Sequence, residues 1–222
     1  MTSLILALHG TRRSSGTAFA ERLRRAVSVR LPGVDVRLGF VDIHDERLAD
    51  VVSQVQSSVI VPVFLAAGYH VDHDVALAVE ASGGRAVATG HVGPELVAAL
   101  ADRLHQAGGP GEAVVLAAIG SSRPGAQAEV QATARRLSRL IDRPVEPGFI
   151  FASEPSPADA VASLRDRGHR EITVATHAIL PGLYQLHIAE LDLPASEPIG
   201  LHPRLLDAIT SRYLAATLVR AA

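Results

Sequence analysis

The 222-residue chain opens on a continuous apolar run, Leu4-Ile5-Leu6-Ala7-Leu8, which ends abruptly in His9-Gly10. A short run without alternation is the pattern of a strand buried on both faces. Residues 17–31 then carry Phe19, Leu23, Ala26 and Val27 at helical spacing and stop at Pro32-Gly33, a helix-terminating pair. A second strand is predicted over 34–41, a helix over 46–56 with Leu48, Val51, Val52 and Val55 on one face, and a β-branched strand over 58–65. A helix over 72–81, a short strand over 85–89 and a helix over 94–106 that begins on Pro94 complete the first half. Strands alternating with helices predict a parallel sheet built by right-handed crossovers.

Ala107-Gly108-Gly109-Pro110-Gly111 is the one linker-like stretch, and the pattern beyond it repeats the pattern before it. Leu116-Ala117-Ala118-Ile119-Gly120 matches Leu6-Ala7-Leu8-His9-Gly10, Gly148-Phe149-Ile150 matches Gly39-Phe40-Val41, and Pro203-Arg204-Leu205 matches Pro94-Glu95-Leu96, at an offset of 109 or 110. Residues 171–176 echo the strand at 58–64, and Gly182 follows near the counterpart of Gly68 after a short insertion. A fixed offset at separated places is the mark of internal duplication. The expected architecture is α/β, with one lobe over 1–107 and a degenerate copy over 112–222, their sheets opening on a shared cleft.

Composition narrows the class. With 48% hydrophobic and 20% charged residues the chain can bury a large core. A net charge of -2 argues against general binding to nucleic acid or a membrane surface. Every one of the 21 basic residues is Arg. There is no Cys, which removes disulfides and thiolate ligands and points to the cytoplasm. No leader is evident at the N-terminus, and the longest apolar run, 59–68, is about half a membrane span and contains Pro62. The oligomeric expectation is a monomer or homodimer.

Groups able to do chemistry gather where the first lobe's strands end. His9 closes the first strand, Asp42 the second, and His70 lies just past the third. In a doubly wound 2-1-3-4 sheet these strands are neighbours about 5 Å apart, so the three side chains can meet around one ion. Two imidazoles and a carboxylate suit Fe2+, Co2+, Ni2+ or Zn2+. Asp42 equally suits a helix N-cap, and His73 with Asp74 suits a helix start. Arg12 and Arg13 fit a solvated loop, yet Arg123 recurs at the position matching Arg13, and facing arginines favour a carboxylate-rich ligand. His177, at the end of the strand at 171–176, is a further histidine that could reach the same cleft.

At these residues the sequence resembles a known family. His9-Gly10-Thr11-Arg12, the Gly39-Phe40-Val41-Asp42 stretch, and the run from Pro62 through Ala66-Ala67-Gly68-Tyr69-His70-Val71-Asp72-His73-Asp74 look like the sirohydrochlorin chelatases, the class II chelatases of siroheme and cobalamin synthesis. The resemblance implies two tandem flavodoxin-like lobes and a cytoplasmic lyase that inserts Fe2+ or Co2+ (Ni2+ being a further candidate) into sirohydrochlorin without a nucleotide. It implies that His9 and His70 bind the metal and accept pyrrole protons. Many members have Glu where this chain has Asp42. The second copy has Ile119 for His9, Phe151 for Asp42 and Tyr184 for His70, so one lobe keeps the site. Arg12, Arg13, Ser121, Ser122 and Arg123 are the candidates, by position, for the ring's carboxylates.

Two other readings compete. A tetrapyrrole or metal carrier without turnover would use the same residues. A histidine phosphatase-type enzyme also carries His-Gly-Thr after its first strand, but it needs Arg directly before that histidine, where this chain has Leu8. No Gly-x-Gly-x-x-Gly follows either copy's first strand, which removes the usual dinucleotide site.

Overall fold

The structure is a computed structural model, and it describes residues 2–10, 14–42, 46–68 and 73–221. Strand β1, Ser3–Leu8, is buried along its whole length. It pairs in parallel with β2, Val36–Phe40, on one side and β3, Ser58–Pro62, on the other. β4, Ala86–Ala88, extends the sheet beyond β3, giving the expected order β2-β1-β3-β4. Helices α1 (Ser14–Arg30), α2 (Leu48–Ser53) and α3 (Asp74–Ala81) supply the crossovers. Successive strand residues face opposite sides of a sheet, so Ile5 and Ala7 of β1 join Ile60, Leu48, Val51, Val52, Val75 and Ala78 in one buried cluster. Each large aliphatic side chain so removed from water contributes about 1.5–3 kcal/mol.

The second sheet repeats this plan. β5 (Ala113–Ala118) lies between β6 (Val145–Phe149) and β7 (Ile172–His177), all parallel, with α5 (Pro124–Ile141) and α6 (Pro157–Asp166) as crossovers and α7 (Tyr184–Ala189) after β7. Among the described residues a fourth strand is reduced to one bridge, Val174 to Ala195. Pro194 and Pro198 flank it, and proline offers no N–H to a ladder. Ser3 pairs with Ser58 as Ala113 pairs with Ile172. The inserted residues of the second copy therefore lie between β6 and β7, where α6 is longer than α2.

The last two helices are α4 (Val97–Gln106), which follows a short 3-10 turn at Gly93–Glu95, and α8 (Pro203–Ala221). By packing, the chain forms one unit from Met1–Gly93 with Pro203–Ala222 and another from Pro94–His202. α4 packs on α5 and β7, and α8 on β3 and α1. The helix that closes each sequence repeat thus belongs to the other repeat's unit. In the first unit the Tyr213 hydroxyl donates to the carbonyl of Thr2 at 2.7 Å. In the second, the Arg103 guanidinium donates twice to the carbonyl of Ile199.

Candidate functional site

β1 is central and both its edges are occupied, so its carboxyl end is the fixed point of the first unit. There the chain emerges as His9, which is exposed, and turns at Gly10, whose φ of 97° lies in the region that glycine adopts without strain. The ladder continues one step past β2: the Val41 N–H donates to the Leu8 carbonyl and the Asp42 N–H to the His9 carbonyl, both at 2.9 Å. His9 and Asp42 are thereby held as neighbours on the carboxyl edge, and Asp42 too is exposed. His70, Arg12 and Arg13 lie outside the described residues. Among the described residues no three His, Asp or Glu side chains form a group that could hold a metal ion. His73 stands just before α3 and makes no side-chain cap bond.

The same edge of the second unit has the same backbone and different chemistry. Ile150 and Phe151 donate to Ala118 and Ile119 at 2.9 Å, bond for bond as Val41 and Asp42 donate to Leu8 and His9. Gly120 turns with φ 96°, and a Cβ there would lie 1.8 Å from the Phe151 carbonyl oxygen, so glycine is required. Ile119 and Phe151 are 46% and 44% exposed, and Leu183 at the N-cap of α7 and Leu186 within it are also exposed. The Phe151 ring meets His187 edge-on, with centroids 5.2 Å apart, and His187 lies 3.6 Å from Glu190. An apolar surface therefore stands where the first unit presents an imidazole and a carboxylate.

Of the expected ring-carboxylate donors, Ser121 is engaged within its own loop. Its hydroxyl accepts from the Arg123 N–H at 3.2 Å, and its carbonyl accepts from the Ser153 hydroxyl and the Gln127 amide. Ser122 is exposed, and Arg123 is the half-buried N-cap residue of α5. Ser153 and Gln127 were not foreseen, because neither lies in a motif and both act through loop closure.

Tyr184 sits at the start of α7, in from the edge: it is buried and its hydroxyl donates to the Leu180 carbonyl at 2.5 Å. Burial, and secondarily the charge of Glu197, push its pKa well above the ordinary tyrosine value, so the phenol stays protonated. His177 pairs with Ala118 at the end of β7 and is only 6% exposed. It is packed within the second unit rather than displayed at its edge as His9 is.

The chain thus has two parallel-sheet α/β units, with a histidine and a carboxylate at adjacent strand ends in one and apolar residues at those positions in the other. The chain belongs to the CbiX family, whose model matches it twice, over residues 3–107 and 113–216. It is similar in structure to SirB from Bacillus subtilis with Fe3+, at a TM-score of 0.81 and 22% identity over 100% of this chain and 97% of that one. The sirohydrochlorin chelatase SirB from Bacillus subtilis subspecies spizizenii in complex with cobalt matches at a TM-score of 0.77 and 18% identity, covering 96% of this chain and 94% of that one. CbiX, described as the terminal enzyme for biosynthesis of siroheme in denitrifying bacteria, matches at 0.72 and 22%, covering 97% and 99%. No curated protein sequence matches the chain. No helix among the described residues is long and apolar enough to cross a membrane.

Proposed function

We propose that this protein is a cytoplasmic lyase that inserts Fe2+ or Co2+ into sirohydrochlorin without a nucleotide, in siroheme or cobalamin synthesis. The observation that carries the reading is the paired strand ends: His9 and Asp42 joined through one backbone bond, against Ile119 and Phe151 joined through its equivalent. Metallation replaces two pyrrole N–H protons with one divalent ion. A neutral imidazole can donate to a metal or accept a proton near neutral pH. His9 and His70 take those roles, and Asp42 adds a carboxylate that offsets the charge of the arriving ion. Ile119 and Phe151 cannot ligate and instead offer apolar surface to a flat ring. Arg12, Arg13, Ser122 and Arg123 are assigned to the ring's carboxylates, with Ser121 shaping the loop that carries the last two. The metal site belongs to the copy at 1–107, and 112–222 is the degenerate copy.

The test is anaerobic incubation with sirohydrochlorin and Fe2+, Co2+ or Ni2+, followed by absorption. Spectral conversion supports the chelatase; ring binding without conversion would make the protein a carrier. His177→Ala belongs in the same experiment. It should lower the melting temperature, because the side chain is buried, while insertion survives. Loss of insertion in His177→Ala, with His9→Ala still active, would move the site to the second unit.

A further inference from the structure

Resting on the chelatase reading, we infer that Ser153 and Gln127 are positioning residues: they hold the chain at Phe151, so that its exposed ring stands preorganised for the macrocycle. Ile119 needs no such support, since it directly continues β5, the central strand of its sheet. Phe151 lies two residues past the end of β6, and its N–H donates to the Ile119 carbonyl. From there the two loops are joined by side chains. The Ser153 hydroxyl donates to the Ser121 carbonyl at 2.6 Å and accepts from the Ser121 N–H at 3.3 Å. The Gln127 amide nitrogen, in the first turn of α5, donates to the Ser121 carbonyl at 2.9 Å and to the Ser153 hydroxyl at 3.2 Å.

All four bonds hold at once. The hydroxyl has one hydrogen to give and the amide two, and turning the amide about would set its oxygen against the Ser121 carbonyl. Between Phe151 and Ser153 stands Ala152, with φ 55°; among the described residues it is the one residue other than glycine and aspartate in the left-handed region. A residue with a Cβ keeps that conformation only where its surroundings enforce it. Without the Ser153 and Gln127 bonds Ala152 relaxes, the peptide joining it to Phe151 turns, and the Phe151 carbonyl leaves its seat against Gly120, where a Cβ would lie 1.8 Å away. The ring itself is braced from α7 by the edge-on contact with His187. The same bracket leads into Ser122 and Arg123, so an apolar face is bordered by a hydroxyl and a guanidinium, as suits a flat ring edged with carboxylates. A face that is ordered before binding loses less entropy when the ligand arrives.

The affinity of the metal-free protein for sirohydrochlorin, from absorption titration, is measured beside Co2+ affinity, from the visible d–d bands, and melting temperature. Ser153→Ala, and Gln127→Leu, which keeps the side chain's volume, should each weaken ring binding by about 3- to 30-fold, the scale of ordering one or two side chains on binding. Co2+ affinity should not change, because His9 and Asp42 belong to the other unit. Ser153→Thr, which keeps the hydroxyl, should bind the ring like the wild type. Since the effect runs through Phe151, Phe151→Ala should weaken ring binding by itself, and Ser153→Ala should add little to it. Wild-type ring affinity in Ser153→Ala or Gln127→Leu, an equal loss of Co2+ affinity, a Thr variant as impaired as the Ala variant, or full additivity with Phe151→Ala overturns the proposal. If Ser153→Ala does not fold, Gln127→Leu takes its place in the pairing with Phe151→Ala, and the same outcomes decide. A wild-type protein that binds no sirohydrochlorin overturns the chelatase reading and this proposal with it; a wild type and variants that bind the ring equally well overturn the proposal alone.

Discussion

His9 stands exposed at the end of a strand that is otherwise buried, so its side chain can be removed at little cost to the core. His9→Ala should melt like the wild type yet insert metal about 10²–10⁴-fold more slowly, the usual contribution of a positioned acid or base. His70→Ala should behave the same way, with spectral conversion as the measurement. Insertion should also fall toward acid pH, because a protonated imidazole neither coordinates nor accepts a proton. A flat rate between about pH 5 and 9 at saturating metal would remove histidine as the base. Tyr184 gives a contrasting case. Its pKa is raised by burial, so its phenol stays neutral throughout that range. Tyr184→Phe should leave the pH profile unchanged and cost about 1 kcal/mol for the lost bond to Leu180. The pairing of His9 with Ile119 and Asp42 with Phe151 was legible in the sequence, because the duplicated Gly10 and Gly120 turns set the alignment. The inward turn of Tyr184 was not, since the repeat fixes its place in the chain but not the direction of its side chain.

Elements were legible wherever periodicity decided them, and their ends were not. The run 58–65 looked like one strand, but β3 stops at Pro62. Residues 64–68 lie past the strand end and are half-buried, which keeps them apolar outside the ladder. The helix expected over 46–56 is only Leu48–Ser53. α6 begins in a full capping box, with the Ser156 hydroxyl accepting from the Asp159 N–H and the Asp159 carboxylate accepting from the Ser156 N–H. Ser156→Ala should cost about 1 kcal/mol in chemical denaturation. Bonds from the Ser156 hydroxyl and backbone hold the Asp159 pKa below its ordinary value. This contribution is therefore complete above the ordinary carboxylate pKa and is lost as pH falls through the folded one. The wild type should lose stability over that interval more steeply than Ser156→Ala does.

At the scale of the whole molecule, the tandem α/β plan was visible in the offset of 109 or 110, whereas the exchange of α4 and α8 between units was not. A helix with an apolar face announces that it will be covered and is silent about which sheet covers it. Leu205 and Ile209 of α8 are fully buried in the unit of β1 and β3. Ile209→Ala should therefore cost about 2–5 kcal/mol. Hydrogen exchange should show the loss first in β1 and β3, although the mutation lies in the second repeat. The same exchange governs what a protease can achieve. A single cut at the glycines of 108–111 leaves a first fragment holding α4, which packs on β7, and a second holding α8, which packs on β3. Neither fragment can depart without stripping a helix from a sheet. The nicked protein should elute as one species on gel filtration and run as two bands in denaturant, and the two halves, expressed separately and mixed, should complement each other into an active enzyme.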